Sequence, residues 1–159
     1  MIYQNEAYQN EAIKEMTCHL ILADDDADDC LFFEEALEDF AVPVSLKTVN
    51  DGEALMRLLL TDPEDLPDAL FLDLNMPRKN GFDCLSEIKA NDQLKQLPVI
   101  IFSTSMDLKV ADMLYLNGAH YYIRKPSEFP KLKQVVREAI AIILKNPARP
   151  AREEFILQS

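Results

Sequence analysis

Histidine, cysteine and basic side chains are all scarce in this chain, and each scarcity narrows what it does. His19 and His120 are the only histidines, too few for a His-rich metal centre, and both read as structural. Cys18, Cys30 and Cys84 are odd in number and widely spaced. That fits neither a disulfide framework nor a C-x-x-C zinc site, and it points to a reducing, cytoplasmic setting. Lysine and arginine total 16 against 28 acidic side chains, a formal net charge of -12. A surface of that sign repels nucleic acid and anionic membranes, so neither is expected as a partner. No apolar run approaches the roughly 20 residues of a membrane span, and the polar N-terminus lacks the apolar core of a signal peptide.

What is present reads as one soluble globular domain, with 159 residues, 48% of them hydrophobic and 28% charged. Residues 1–16 carry YQNEA twice in tandem, at Tyr3 to Ala7 and Tyr8 to Ala12, a period that matches no solenoid and reads as an extension. Short apolar runs then alternate with amphipathic stretches. Strands are expected at Cys18 to Ala23, Val44 to Val49, the run ending at Asp73, Val99 to Phe102 and His120 to Arg124. Helices are expected to bury Leu31, Phe33, Ala36, Leu37 and Phe40, then Leu55 and Leu59, then Leu85 and Ile88, then Val110, Met113 and Leu114, then a stripe from Leu132 to Ile143. Ser127 is the expected cap of the last helix. Five strands alternating with five helices call for a doubly wound α/β fold, a five-stranded parallel sheet with helices on both faces.

Such a sheet lines up the C-terminal ends of its strands along one edge, where open α/β folds place their chemistry. Those ends carry Asp24 and Asp25 within a run of five acids in six residues, Asp73 just before Met76-Pro77, Ser103 and Thr104, and Lys125. Singly, Asp73 reads as a turn residue and the acidic run as a solvated helix start. Together they read as a site. Carboxylates roughly 5 Å apart repel by about 3 kcal/mol per pair at an effective dielectric near 20, so Asp25, Asp73, Asp24 through water and a backbone carbonyl just after Asp73 suit a hard cation, Mg²⁺ or Mn²⁺. Lys125 and the hydroxyl of Ser103 or Thr104 suit a phosphoryl oxygen. Asp73 is then the nucleophile of a phosphoryl transfer, with metal and lysine neutralising charge.

The motifs ILADDD, LFLDLNMPRKNG, IIFSTS and GAHYYIRKP, in that order over residues 18 to about 145, resemble the receiver domain of two-component response regulators. The resemblance implies a flavodoxin-like receiver unit at 17–146, flanked by the extension at 1–16 and a tail at 147–159. It implies that Asp73 accepts a phosphoryl group from a histidine kinase's phosphohistidine. It further implies that Asp24, Asp25, Asp73 and the Asn75 carbonyl hold Mg²⁺, that Ser103 and Lys125 contact the phosphoryl group, and that Tyr122 changes rotamer in the switch. The small stand-alone receivers that partner phytochrome-type kinases look most similar. Ser103 departs from the commoner Thr and keeps the hydroxyl.

The expected output is altered protein binding on the face made by the fourth helix, fifth strand and fifth helix, with a phosphorylation-linked homodimer also open. Relay of the group to a histidine phosphotransfer protein is the alternative. A phosphohydrolase of the haloacid-dehalogenase type, with its D-x-D signature, fits less well, because Asn75 stands where the second acid would act as base. The chain is therefore expected to be no enzyme beyond its own phosphorylation and slow dephosphorylation. Phe155, Ile156 and Leu157 in the tail have a pattern that suits docking, either on the domain or on a partner.

Overall fold

A computed structural model describes residues 17–158; the tandem YQNEA repeat lies outside them. Its elements follow in order as β1 (Cys18–Ala23), α1 (Ala27–Ala36), β2 (Val44–Val49), α2 (Gly52–Thr61), β3 (Ala69–Leu72) and α3 (Gly81–Ala90). Then come β4 (Val99–Ser103), α4 (Leu108–Leu116), β5 (Tyr121–Arg124), α5 (Phe129–Lys145), a short 3-10 turn at Arg152–Glu154 and β6 (Ile156–Leu157). All strand pairs are parallel, in the order β2-β1-β3-β4-β5-β6. Six strands stand where five were expected. The sixth comes from the tail, whose two paired residues are too few to carry a readable alternation.

The sheet is buried on both faces because β1, β3 and β4 are nearly continuous apolar runs. One face packs Ile21, Leu70, Leu72, Val99 and Ile101 against Leu55 and Leu59 of α2, Leu85 and Ile88 of α3 and Leu114 of α4. The other packs Leu20, Phe71, Ile100 and Ile123 against Phe33 of α1 and Val135, Val136 and Ile140 of α5. Phe33, Phe71 and Phe102 meet edge to face, with Phe33 4.8 Å from Phe71 and 5.7 Å from Phe102. Leu31 and Met113 do not join these cores. Their helices are rotated so that both side chains are about half exposed, 51% and 57%.

Four helices start on a side chain that caps the first free amides at the C-terminal edge of the sheet. Asp26 accepts from the amides of Asp28 and Asp29, Asp51 from Ala54, Asn80 from Asp83, and Asp107 from Lys109 and Val110. The fifth differs from expectation. The cap position of α5 is Glu128 rather than Ser127, it makes no side-chain cap bond, and Pro130 occupies the first turn, where the missing N–H costs nothing. The Lys125–Pro126 bond is trans, since the described chain has no cis peptide.

Gly81 fixes how closely α3 approaches β3. Its amide donates to the Leu74 carbonyl at 2.9 Å, and a Cβ built on it would stand 2.2 Å from the Asp73 carbonyl oxygen. No side-chain rotation relieves a clash with backbone. Gly81→Ala is therefore expected to cost about 3 kcal/mol, at the upper end of overpacking penalties, read as a lower urea midpoint. An unchanged midpoint would mean that α3 is free to retreat.

Candidate functional site

The backbones of the strand-end residues are themselves tied into the sheet. Asp24 N–H donates to the Val49 carbonyl at 3.0 Å, Asp73 N–H to Ala23 at 2.9 Å, and Lys125 N–H to Ser103 at 2.7 Å. These bonds continue the strand ladders one residue past their ends and hold three functional side chains at a common level. Asp24 and Asp73 are buried and Asp25 is exposed at the mouth; one oxygen of each lies within 4.8 Å of the others.

Lys125 reaches into this group with its side chain only 8% exposed. Its ammonium stands 2.7 Å from Asp24 Oδ2, 2.9 Å from Asp29 Oδ2 and 3.6 Å from Asp73 Oδ2. It also lies 5.3 Å from the centre of the Phe102 ring. Asp29 was not singled out from the sequence. It sits in the first turn of α1, and only the rotation of that helix decides which acid of the run turns inward. Four carboxylates, Asp24, Asp25, Asp29 and Asp73, meet one ammonium, so a formal excess of three negative charges remains when all are ionised.

Burial and the charges together set the protonation equilibria. Burial raises the Asp73 carboxyl to about 6; Lys125 and the Asn75 and Leu74 amides lower it, while Asp24 raises it. Burial likewise raises Asp24, against its contacts with Lys125 and the Asp26 amide. Burial alone would lower Lys125, yet its close contacts with the Asp24 and Asp29 carboxylates outweigh it and hold the ammonium firmly protonated.

The group fits a small divalent cation. Its donors are all oxygen, hard and anionic. Asp24 Oδ2, though beside the Lys125 ammonium, is buried without an aligned hydrogen bond among the described residues. Asn75 is exposed in the loop after β3, with its amide turned to the Asp73 carboxylate.

Ser103 ends β4 fully buried, with its hydroxyl 3.5 Å from both the hydroxyl and the amide of Ser105; Thr104 is exposed. Tyr122 is buried in β5 and its hydroxyl donates to the Ser105 carbonyl. The histidines stay outside the site. His19 is on the exposed side of β1. His120 is buried, and burial with Lys89 and Arg149 nearby lowers it to about 4.

A parallel sheet with an acid pair, a central carboxylate and a lysine at its C-terminal edge defines a receiver domain. The chain belongs to the response regulator receiver domain family, whose model matches residues 20–137, and so to the signalling proteins of two-component systems. The response regulator Rcp1 of Synechocystis sp. is 29% identical over 136 residues, 83% of this chain and 92% of that protein. The probable methanogenesis regulatory protein FilR2 of Methanothrix harundinacea is 29% identical over 75% of this chain and 79% of its own length. Among solved structures, the phosphorylated cyanobacterial phytochrome response regulator RcpA superposes with a TM-score of 0.76 at 31% identity, covering 85% of this chain and 99% of that one. The Mn²⁺-bound form of Rcp1 gives a TM-score of 0.74 at 28% identity over 84% of this chain and 99% of that one.

The raised Asp73 carboxyl has a measurable consequence without metal. Between its ordinary 3.8 and about 6 the folded protein keeps a proton that the unfolded chain has lost. Stability therefore falls as pH rises through that window, by up to about 3 kcal/mol. Asp73→Asn is expected to raise the urea midpoint of metal-free protein at pH 7.5 and to lose that advantage near pH 4. Equal midpoints for the two proteins at both pH values would contradict the assignment.

Proposed function

We propose that this receiver takes a phosphoryl group onto Asp73 from the phosphohistidine of a sensor histidine kinase or histidine phosphotransfer protein, and signals by altered protein binding. The observation that carries it is the meeting of three carboxylates and one buried lysine at Asp73. In the transfer an Asp73 carboxylate oxygen bonds to phosphorus as the P–N bond breaks, and the imidazole leaves with that electron pair. The product is an acyl phosphate.

Lys125 holds Asp73 ionised and is within reach of a phosphoryl oxygen, because its ammonium is already 3.6 Å from Asp73 Oδ2. Ser103 offers its hydroxyl from the neighbouring strand end. Asp24, Asp25, Asp73 and the Asn75 backbone carbonyl would hold Mg²⁺ or Mn²⁺, which when bound supplies positive charge against the phosphoryl oxygens. The neutral Asn75 carboxamide is too weakly basic to take a proton from an attacking water, so the acyl phosphate persists long enough to act as a signal. The receiver unit is assigned to residues 17–146, and the free thiols Cys18, Cys30 and Cys84 suit a cytoplasmic location.

Wild-type protein given a small phosphodonor such as phosphoramidate with Mg²⁺ is expected to incorporate phosphate about one to one. Asp73→Asn is expected to lose at least about a hundredfold in rate, and chelation of Mg²⁺ to do the same to the wild type. Incorporation by Asp73→Asn at the wild-type rate would overturn the proposal.

A further inference from the structure

The tail after α5 packs against α4 and pairs along the edge of β5. Arg149 begins the docking. Its guanidinium donates to the carbonyls of Ala119, at 3.2 Å, and of Tyr115, and lies 4.3 Å from the centre of the Tyr115 ring. The Tyr115 hydroxyl donates back to the Pro150 carbonyl at 2.9 Å, and Arg152 pairs with Asp112 of α4 at 2.7 Å. Phe155 is then fully buried, its ring 5.2 Å from Tyr115 and 6.4 Å from Tyr122. Its carbonyl accepts the Tyr122 amide at 2.9 Å, and β6 pairs Ile156 with Tyr122 along the edge of β5.

From Tyr122 the contacts lead inward. Its hydroxyl holds the Ser105 carbonyl, and the Ser105 amide lies 3.5 Å from the Ser103 hydroxyl at the end of β4. A docked Phe155 therefore braces the Tyr122 ring in its buried position, and the buried ring holds the loop that carries Ser103. The Ser103 hydroxyl, proposed above to meet a phosphoryl group on Asp73, lies at the start of that loop.

We infer that residues 149–157 are the switch's own resident ligand, with Phe155 a positioning residue that acts through Tyr122 on the phosphoryl site. The inference rests on Asp73 being the phosphoacceptor. Docking of the tail and occupation of the phosphoryl site favour one arrangement of the Ser103–Ser105 loop, so each must strengthen the other by the same factor. A protein that recognises the phosphorylated form at α4 and β5 meets the tail there as part of the surface.

Beryllofluoride, which mimics the phosphoryl group on a carboxylate, tests this in the full chain with Mg²⁺, followed by the amide resonances of Ser103, Ser105 and Tyr122. Phe155→Ala is expected to weaken beryllofluoride binding by about tenfold, a typical coupling, and to leave Mg²⁺ affinity unchanged. Phe155→Leu, which refills most of the space, is expected to recover most of the loss. In the wild type, beryllofluoride is expected to slow amide exchange at residues 155–158. A merely structural Phe155 would lower stability without moving the beryllofluoride affinity, and that result would overturn the inference.

If Phe155→Ala does not fold, Arg152→Glu, which breaks an exposed anchor of the tail, is expected to weaken binding in the same direction by about threefold. Unchanged affinity with faster tail exchange would count equally against the coupling. A wild type that gives no beryllofluoride response removes the Asp73 assignment and the coupling together, whereas a normal wild-type response with no effect in either variant removes the coupling alone.

Discussion

The attraction between Lys125 and the carboxylates around it is what the functional edge depends on. Oxygens of Asp24, Asp25 and Asp73 within 4.8 Å of one another repel by about 3 kcal/mol per pair at an effective dielectric near 20. The Lys125 contacts at 2.7, 2.9 and 3.6 Å attract by about 5 kcal/mol each on the same scale. On that scale the Lys125 contacts outweigh these three repulsions, yet four carboxylates against one ammonium leave the cluster formally short of positive charge. That shortfall suits the cluster to a cation, while burial keeps the Asp73 carboxyl raised.

The sheet makes such a cluster tolerable. Asp24, Asp73 and Lys125 each spend their own amide on a neighbouring strand, so repulsion between the side chains cannot be relieved by moving the backbone. Two apolar cores, one on each face of the sheet, hold those strands in register. Gly81 brings α3 against the Asp73 carbonyl and closes the remaining freedom. Packing remote from the charges thus does the work of keeping them close.

The alternation of apolar runs and amphipathic stretches made β1 to β5 and the five helices legible from sequence, because buried parallel strands and amphipathic helices write their burial into residue order. Asp24, Asp25, Asp73 and Lys125 were legible for the same reason, each lying at a strand's end. Asp29 was not, since choosing among five neighbouring acids requires the rotation of α1. Leu31 and Met113 were misjudged on the same ground, for both sit on apolar-looking helical positions that turn to solvent. Docking of Phe155, Ile156 and Leu157 was one of two options open in the sequence, on the domain or on a partner. The pairing of β6 with β5 was not legible, because it depends on scattered contacts, from Arg149 to Tyr115 and Phe155 to Tyr122, that leave no period in a proline-interrupted tail.

On the proposed reading, Asp73 is the residue of the charge-short edge that bonds to phosphorus. Borohydride reduces an acyl phosphate of aspartate to homoserine, so trapping the phosphorylated protein and sequencing its peptides by mass spectrometry reads the acceptor directly. Homoserine is expected at position 73, with unmodified aspartate at positions 24, 25 and 29. Reduction at one of those neighbours, or phosphate found on His19, His120 or a serine with Asp73 intact, would contradict it.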